Sequence, residues 1–555
     1  MLLRLMRIDL ISRYRAPLLL LVAILFSQGA AIAQPTSVRE ADEKCAHCHS
    51  EIYRTYISTP MANASGIASE KLIPGSFTHD STGLDYRISR VNGQAVLAIK
   101  NRLDKNEGVT RQLKYFLGSG HLGITYIYSI NDFVFESPVA WYAASSGYDM
   151  KPGLAELKQA PPSLPLSSSC MRCHMSAVQP SDVGTLNRYQ GPPFLHSGIT
   201  CEACHGEAAG HAVTGDKKRV VNPAQLTSDL RDSICISCHL EGDVTVERAG
   251  NSMLNFRPGE SISTYLAFYV YGAANPTSRG VSEVEQFAHS RCKLASGDKM
   301  SCTSCHDPHF TPDVRQRISF YRSKCLSCHN QPRFATEHHP ANQDCTSCHM
   351  ARTGAENIPH VAWTDHRILR VPEATGALGT EVRKVDLAPV FSPGATDRDL
   401  AMANYKLMLD GNPSLEQKTW DLLHQLKDAI TSDKDALNAL GVMSAERGDK
   451  SEAEHAFRRV LELDPHDLTA LSNLGILLAK QGDLNQAISL LQRAFDRNQD
   501  ISGLAMNLAR VECMAGNSSE ARKPLEASLI YNPGLESLER LLVEITNCSV
   551  SGTQR

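Results

Sequence analysis

The sequence has no basic excess: 56 Lys and Arg stand against 60 Asp and Glu, a formal net charge of −4. That balance argues against nucleic acid as a partner, and the lack of any long like-charge run argues against a charged tail. Beyond residue 34 no apolar run approaches the length that crosses a bilayer, so no membrane span is expected in the mature chain. The first 33 residues differ. Arg4, Arg7, Arg13 and Arg15 precede an apolar run from Ala16 to Phe26, and small residues end at Ala31-Ile32-Ala33. This is the order of a secretory signal peptide, and its apolar run is short for a span. Cleavage after Ala33 and a periplasmic or otherwise exported location are expected. Only an uncleaved leader would anchor the chain in a membrane. At 555 residues the chain is too long for one hydrophobic core.

What the chain has in quantity is cysteine, 17 residues, and histidine, 21. In an exported protein abundant cysteine would first suggest disulfides, but the spacing points elsewhere. Seven CxxCH motifs occur: Cys45/Cys48/His49, Cys170/Cys173/His174, Cys201/Cys204/His205, Cys235/Cys238/His239, Cys302/Cys305/His306, Cys325/Cys328/His329 and Cys345/Cys348/His349. Two thiols at this spacing add across the two vinyl groups of one haem, and the adjacent histidine lies beneath the iron as its proximal ligand. Zinc sites pair CxxC units but do not need a histidine after each one. The motifs therefore predict seven covalently bound haem c groups. Cys292, Cys513 and Cys548 are left over and read as small buried hydrophobes or free thiols.

The expected fold is mainly α with irregular loops: a multihaem region carrying a small β-rich insertion, then an all-α solenoid. After the leader (1–33), residues 34–69 form the first haem-binding segment. Residues 70–150 hold no motif, and apolar and polar residues alternate around Asn92-Gly93 and again near Asn131-Asp132, as β-hairpins do. Residues 151–370 crowd six motifs into little polypeptide, so the macrocycles themselves would supply much of the core. A linker is expected over 371–396. From 397 to 546 the pattern changes: Gly441 and Gly475, Gly448, Gly482 and Gly516, and Ala453, Ala487 and Ala521 recur every 34 residues. That is the tetratricopeptide period, with small residues where two helices pack closely. A degenerate first helix pair and a capping helix complete the array, and 547–555 form a tail. His424, His455 and His466 are expected to face solvent.

Four stretches carry a resemblance: CAHCHSEIYRTYISTPMANAS from Cys45, GITCEACHGEAAGH from Gly198, CTSCHDPH from Cys302 and IPHVAWTDHRI from Ile358. They resemble the cytochrome c554-like family, and in particular the exported bacterial members that join such a cytochrome to tetratricopeptide repeats. The resemblance implies distal ligands. Met61 stands where the family has histidine, behind the stiffening Pro60. A distal thioether there would make the first haem the high-potential end, while the alternative is a packing methionine in a loop. His211 and His309 match family ligand positions, each serving a neighbouring haem. His360 and His366 follow, and His121 is plausible between glycines that let backbone approach a macrocycle. His79, His196, His289, His338 and His339 divide between ligand and propionate or surface partner, and His47 lies inside an attachment loop.

Such a chain is expected to transfer electrons between unidentified redox partner proteins, with a protein or peptide docking in the repeat groove. No catalytic residue is assigned. The alternative is a multihaem oxidoreductase acting on a small nitrogen or sulfur compound at one open iron. The lack of a CxxCK motif weakens that alternative without removing it. A third reading makes the repeats the main business and the haems a redox sensor.

Overall fold

The computed structural model describes residues 34–102, 108–240, 242–271, 281–355, 358, 360–371, 386–391, 394–545 and 548. The expected signal peptide, most of the expected linker and the expected tail apart from Cys548 lie outside the described residues.

Helix α1 (Val38–Tyr56) opens on a capping box, in which Ser37 and Glu40 satisfy each other's backbone N–H groups. It is broken at His49, whose backbone (φ −113°, ψ 39°) is not helical. A straight helix of this length would hold its ends about 27 Å apart. The break instead lets Val38 and Tyr56 share one small apolar cluster with Ala62 and Met61.

A large antiparallel sheet follows. Strands β1 (Ser65–Ile67), β2 (Gly75–His79), β3 (Leu84–Val91), β4 (Gln94–Asn101), β5 (Gly108–Leu117), β6 (Gly123–Ile130), β7 (Phe133–Tyr142), β8 (Gly147–Met150) and β9 (Leu164–Pro165) form it. β2 to β8 are neighbours in sequence order, β1 pairs with β5, and β9 pairs with β7. Alternation is visible in β3, where Leu84, Tyr86 and Ile88 are buried and Arg87 is exposed. Both expected hairpins are present. Asn92 and Gly93, then Asn131 and Asp132, take positive φ (50° and 81°, 48° and 68°), as tight primed turns require. The sheet nearly closes on itself: the Tyr148 hydroxyl of β8 donates to the Ile73 carbonyl just before β2 at 2.5 Å. Its ring lies so close to Gly75 that a Cβ there would come within 2.8 Å.

This sheet corrects one part of the expected fold class, the size of the β region. The β region is not small, although it does lie between the first and second motifs and the described chain holds more helix than strand. Its strands run up to ten residues, and β1 and β9 come from outside 70–150. Local alternation reveals hairpins, but these long-range pairings leave no local mark.

The six-motif region is built of short helices, such as Ser168–Met171, Cys201–His205, Ala209–Thr214, Ser228–His239, Arg317–Leu326 and Thr346–His349. Small sheets join them: β10 (Met175–Val178) with β11 (Phe194–Ser197), β12 (Val244–Glu247) with β13 (Leu266–Tyr271), and β14 (Arg352–Gly354) with β15 (Ala362–Thr364). β16 (Leu387–Pro389) pairs with β13, so part of the expected linker is sheet.

From Asp397 the described chain is helical in pairs: Asp397–Leu409 with Glu416–Leu426, Lys434–Glu446 with Lys450–Leu463, Leu468–Gln481 with Leu484–Phe495, and Ser502–Met514 with Ser518–Leu529, then Glu536–Glu544. The periodic glycines are where partner helices touch. A Cβ on Gly441 would come within 2.6 Å of the Phe457 ring, and one on Gly475 within 2.8 Å of Leu491. Asp433, Asp449, Asp467 and Asp483 cap four helices with their side chains. Cys513 and Cys548 form a disulfide, correcting the reading of both as unpaired. It ties the last described residue to the fourth helix pair.

The loops between repeats rest against the N-terminal half. Tyr531 is 2% exposed and belongs to the core of the large sheet, its ring edge-on to Phe133 at 5.3 Å. Arg111 donates to the Ile530 carbonyl (3.0 Å) and the Ser163 N–H to Asn532 Oδ1 (2.9 Å). One repeat earlier, Arg497 and Asn498 donate to the carbonyls of Val183 and Gly184 (2.8 and 2.9 Å). His466, expected to face solvent, packs on Gly184. Arg398 bridges Asp433 and the Glu247 carbonyl.

Candidate metal centres

The seven motifs are brought close together, four pairs of them with thiols in contact. The Cys45 and Cys201 thiols meet, as do Cys235 and Cys302, Cys325 and Cys345, and Cys173 and Cys238. Cys204 lies within electrostatic reach of Cys235 and Cys238, and Cys305 of Cys328 and the left-over Cys292. In motif order these contacts run first, third, fourth, fifth, sixth, seventh. The second motif touches the row at the fourth.

Cys48 is exposed, whereas its motif partner Cys45 is half-buried against Cys201. Cys170 and Cys328 are also exposed, but Cys170 accepts from the Ser167 hydroxyl at 3.4 Å and Cys328 keeps its link to Cys305.

Two of the contacts are built alike. Asp42, three residues before Cys45 and 1% exposed, accepts from the Cys201 N–H with both oxygens (3.1 and 3.0 Å). Asp232, three before Cys235, accepts from the Cys302 N–H at 3.3 Å. Each carboxylate satisfies an orphan donor at the start of the next motif's helical turn. Burial pushes both carboxyls up while these hydrogen bonds pull them down. Sequence reasoning missed this repeated D-x-x-C-x-x-C-H signal.

The motif histidines also meet other histidines at one recurring distance. His49 faces His211 with ring centres 6.2 Å apart and planes 25° from parallel. His205 faces His309 at 6.0 Å and 15°, and His306 faces His366 at 6.2 Å and 26°. His349 faces His338 at 6.0 Å and 21°. That is too far for ring contact. Two metal–imidazole bonds of about 2 Å, with about 1.1 Å from each nitrogen to its ring centre, span about 6.2 Å. The residues therefore fit an iron held between two histidines.

The other ring nitrogen agrees. His205, His211, His349 and His366 each place Nδ1 on a backbone carbonyl, of Val221 (2.9 Å), Asp216 (3.1 Å), Leu369 (2.7 Å) and Thr364 (2.8 Å). A carbonyl only accepts, so Nδ1 carries the proton and Nε2 offers the lone pair. Burial pushes His306 down to about 4, and lowers His366, His309, His174 and His239 as well, keeping these imidazoles neutral.

Three expected ligands are placed differently. Met61 is half-buried among Val38, Tyr56 and Ala62, and the position opposite His49 is taken by His211. His121 is exposed between β5 and β6. His360 sets Nε2 2.7 Å from Asp149 Oδ2, beside the Tyr142 ring. Among the described residues no histidine faces His174, His239 or His329 at the recurring distance. His289 has the ligand posture, with Nδ1 on the Glu285 carbonyl at 2.7 Å. His79 is buried with both ring nitrogens engaged, on Thr82 and the Ala155 carbonyl.

Residues 147–206, which hold the second and third motifs, match the family of cytochrome c554 and c-prime. Residues 444–505 match a tetratricopeptide repeat family. Among solved structures the chain is similar to MamA AMB-1, at 19% identity and a TM-score of 0.25 over 28% of this chain and 88% of that one. It is similar also to Pseudomonas aeruginosa pilF, at 21% identity and a TM-score of 0.25 over 27% of this chain and 67% of that one. No curated protein matches the chain.

Proposed function

From a chain that joins a cytochrome c554-type segment to tetratricopeptide repeats, we propose an exported heptahaem c-type cytochrome that passes electrons along one row of centres. The carrying observation is the set of four histidine pairs at 6.0–6.2 Å, each including a motif histidine. Haem supplies one-electron chemistry when bound. The chain's own part is to attach it through fourteen cysteines, to hold Nε2 of His205, His211, His349 and His366 in place through Nδ1, and to keep successive motifs close together.

On this reading His49, His174, His205, His239, His306, His329 and His349 are the proximal ligands, and His211, His309, His366 and His338 the distal ones opposite the first, third, fifth and seventh. The repeats serve protein interaction. Their inter-repeat loops are already engaged by the cytochrome part of the same chain, so an external redox partner or peptide meets the array elsewhere. No helix among the described residues is long and apolar enough to cross a membrane. Export rests on the leader and on the chemistry of haem attachment.

A second reading, an oxidoreductase acting on a small nitrogen or sulfur compound, is favoured by one observation. His174 has no facing histidine among the described residues, while the half-buried ion pair of Glu136 and Lys151 acts on it electrostatically. Such charged groups beside an open iron suit proton delivery.

Haem counting on the purified chain, followed by carbon monoxide titration after dithionite reduction, tests both readings. Seven haems without carbon monoxide binding are expected of the conduit. One binding haem per chain would favour the oxidoreductase, and fewer than seven haems would overturn the heptahaem reading.

A further inference from the structure

We propose that His338 and His339 are alternative distal ligands for a single iron, the one attached at Cys345, Cys348 and His349. This centre then exchanges one imidazole for another while staying six-coordinate. The proposal rests on the heptahaem reading above.

Both rings stand at axial distance from His349: His338 at 6.0 Å with planes 21° apart, His339 at 6.2 Å with planes 49° apart. One nitrogen from each of the three residues lies within 4.8 Å of the others. The two candidate rings are 4.1 Å apart, so only one can occupy the axial position at a time. His349 is the fixed member, its Nδ1 tied to the Leu369 carbonyl at 2.7 Å.

Consecutive residues do not ordinarily aim at one point. On a helix they diverge by about 100°, and on a strand they face opposite sides. These two converge because the helix Phe334–Glu337 ends at His338 and His339 adopts a left-handed backbone, φ +50°. That conformation is uncommon for a residue with a side chain, and Pro340 restricts the residue before it further. Strain of this kind persists at sites where the arrangement has a use. Phe334 stacks on His338 at 4.6 Å and 14°, which makes His338 the resting ligand. Both histidines are exposed, so exchange disturbs no packed core.

The test uses the full haem-loaded chain and the variants His338→Ala, His339→Ala and the double variant. The readouts are low-temperature EPR and carbon monoxide titration. Each single variant is expected to bind no more carbon monoxide than the parent. His338→Ala should shift one low-spin EPR signal, because the imidazole planes then meet at a different angle. The double variant should gain one carbon monoxide-binding haem per chain. A gain in either single variant would mean one fixed ligand and would overturn the proposal. No gain in the double variant would mean that neither histidine ligates, and would overturn it too. Haem counting on every sample separates these outcomes from failure of the underlying reading, which fewer than seven haems in the parent would mark.

Discussion

His211 and Met61 compete for one role, and the geometry favours the histidine. His211 sits at iron-spanning distance from His49, whereas Met61 fills a gap between Val38 and Tyr56. His211→Ala should therefore give one additional carbon monoxide-binding haem per chain. Met61→Leu should leave spectrum and potentials unchanged, at a cost below about 1.5 kcal/mol. Both are read by optical titration and thermal melting. Elsewhere Asp500 is 5% exposed, its Oδ1 has no hydrogen-bond partner, and burial pushes its carboxyl up to about 6. The folded chain thus holds this proton more tightly than the unfolded chain, where the carboxyl titrates near its ordinary value of 3.8. Stability falls as pH rises through that window, by at most about 3 kcal/mol. Asp500→Asn should melt higher than the parent at pH 8 and lose that advantage at pH 4. His211 was legible in the sequence as a ligand candidate, but its place opposite His49 and the burial of Asp500 were not. A histidine's partner iron and a carboxylate's burial depend on residues far away along the chain, while the attachment cysteines are legible because their chemistry is local.

Elements were legible to the extent that their signals are short-range. Asn92-Gly93 and Asn131-Asp132 mark turns through their own backbone preferences, and the 34-residue period marks helix pairs through the glycines that Phe457 and Leu491 press on. The count of strands was not legible, because β1 reaches β5 and β9 reaches β7 by pairings that local alternation does not encode. Nor was the Cys513–Cys548 disulfide, whose two cysteines are separated by 35 positions within helical sequence. At this scale Asp42 and Asp232 are the devices that hold one motif against another. Asp42→Ala strands the half-buried Cys201 N–H and should cost about 1–3 kcal/mol. It should also weaken the magnetic coupling between the first and third haems in EPR, while Asp42→Asn, which keeps an acceptor, should restore most of both.

The whole molecule departs furthest from what its sequence suggests. Composition and periodicity describe a cytochrome followed by a separable array, yet Tyr531 of the array completes the core of the large sheet. Tyr531→Ala should cost about 3–5 kcal/mol, read as a lower melting temperature with haem content unchanged. Truncation after residue 395 should leave the sheet region sensitive to protease, where a free docking arm would leave it resistant. The contacts that close this core join residues 400 or more positions apart, such as Asn131 with Tyr531 and Arg111 with Ile530. Such contacts form slowly, since the chain between them must be ordered first. The consequence is one of timing. A chain emerging N-terminus first cannot complete the core of its large sheet until Tyr531, close to its last helix, has arrived.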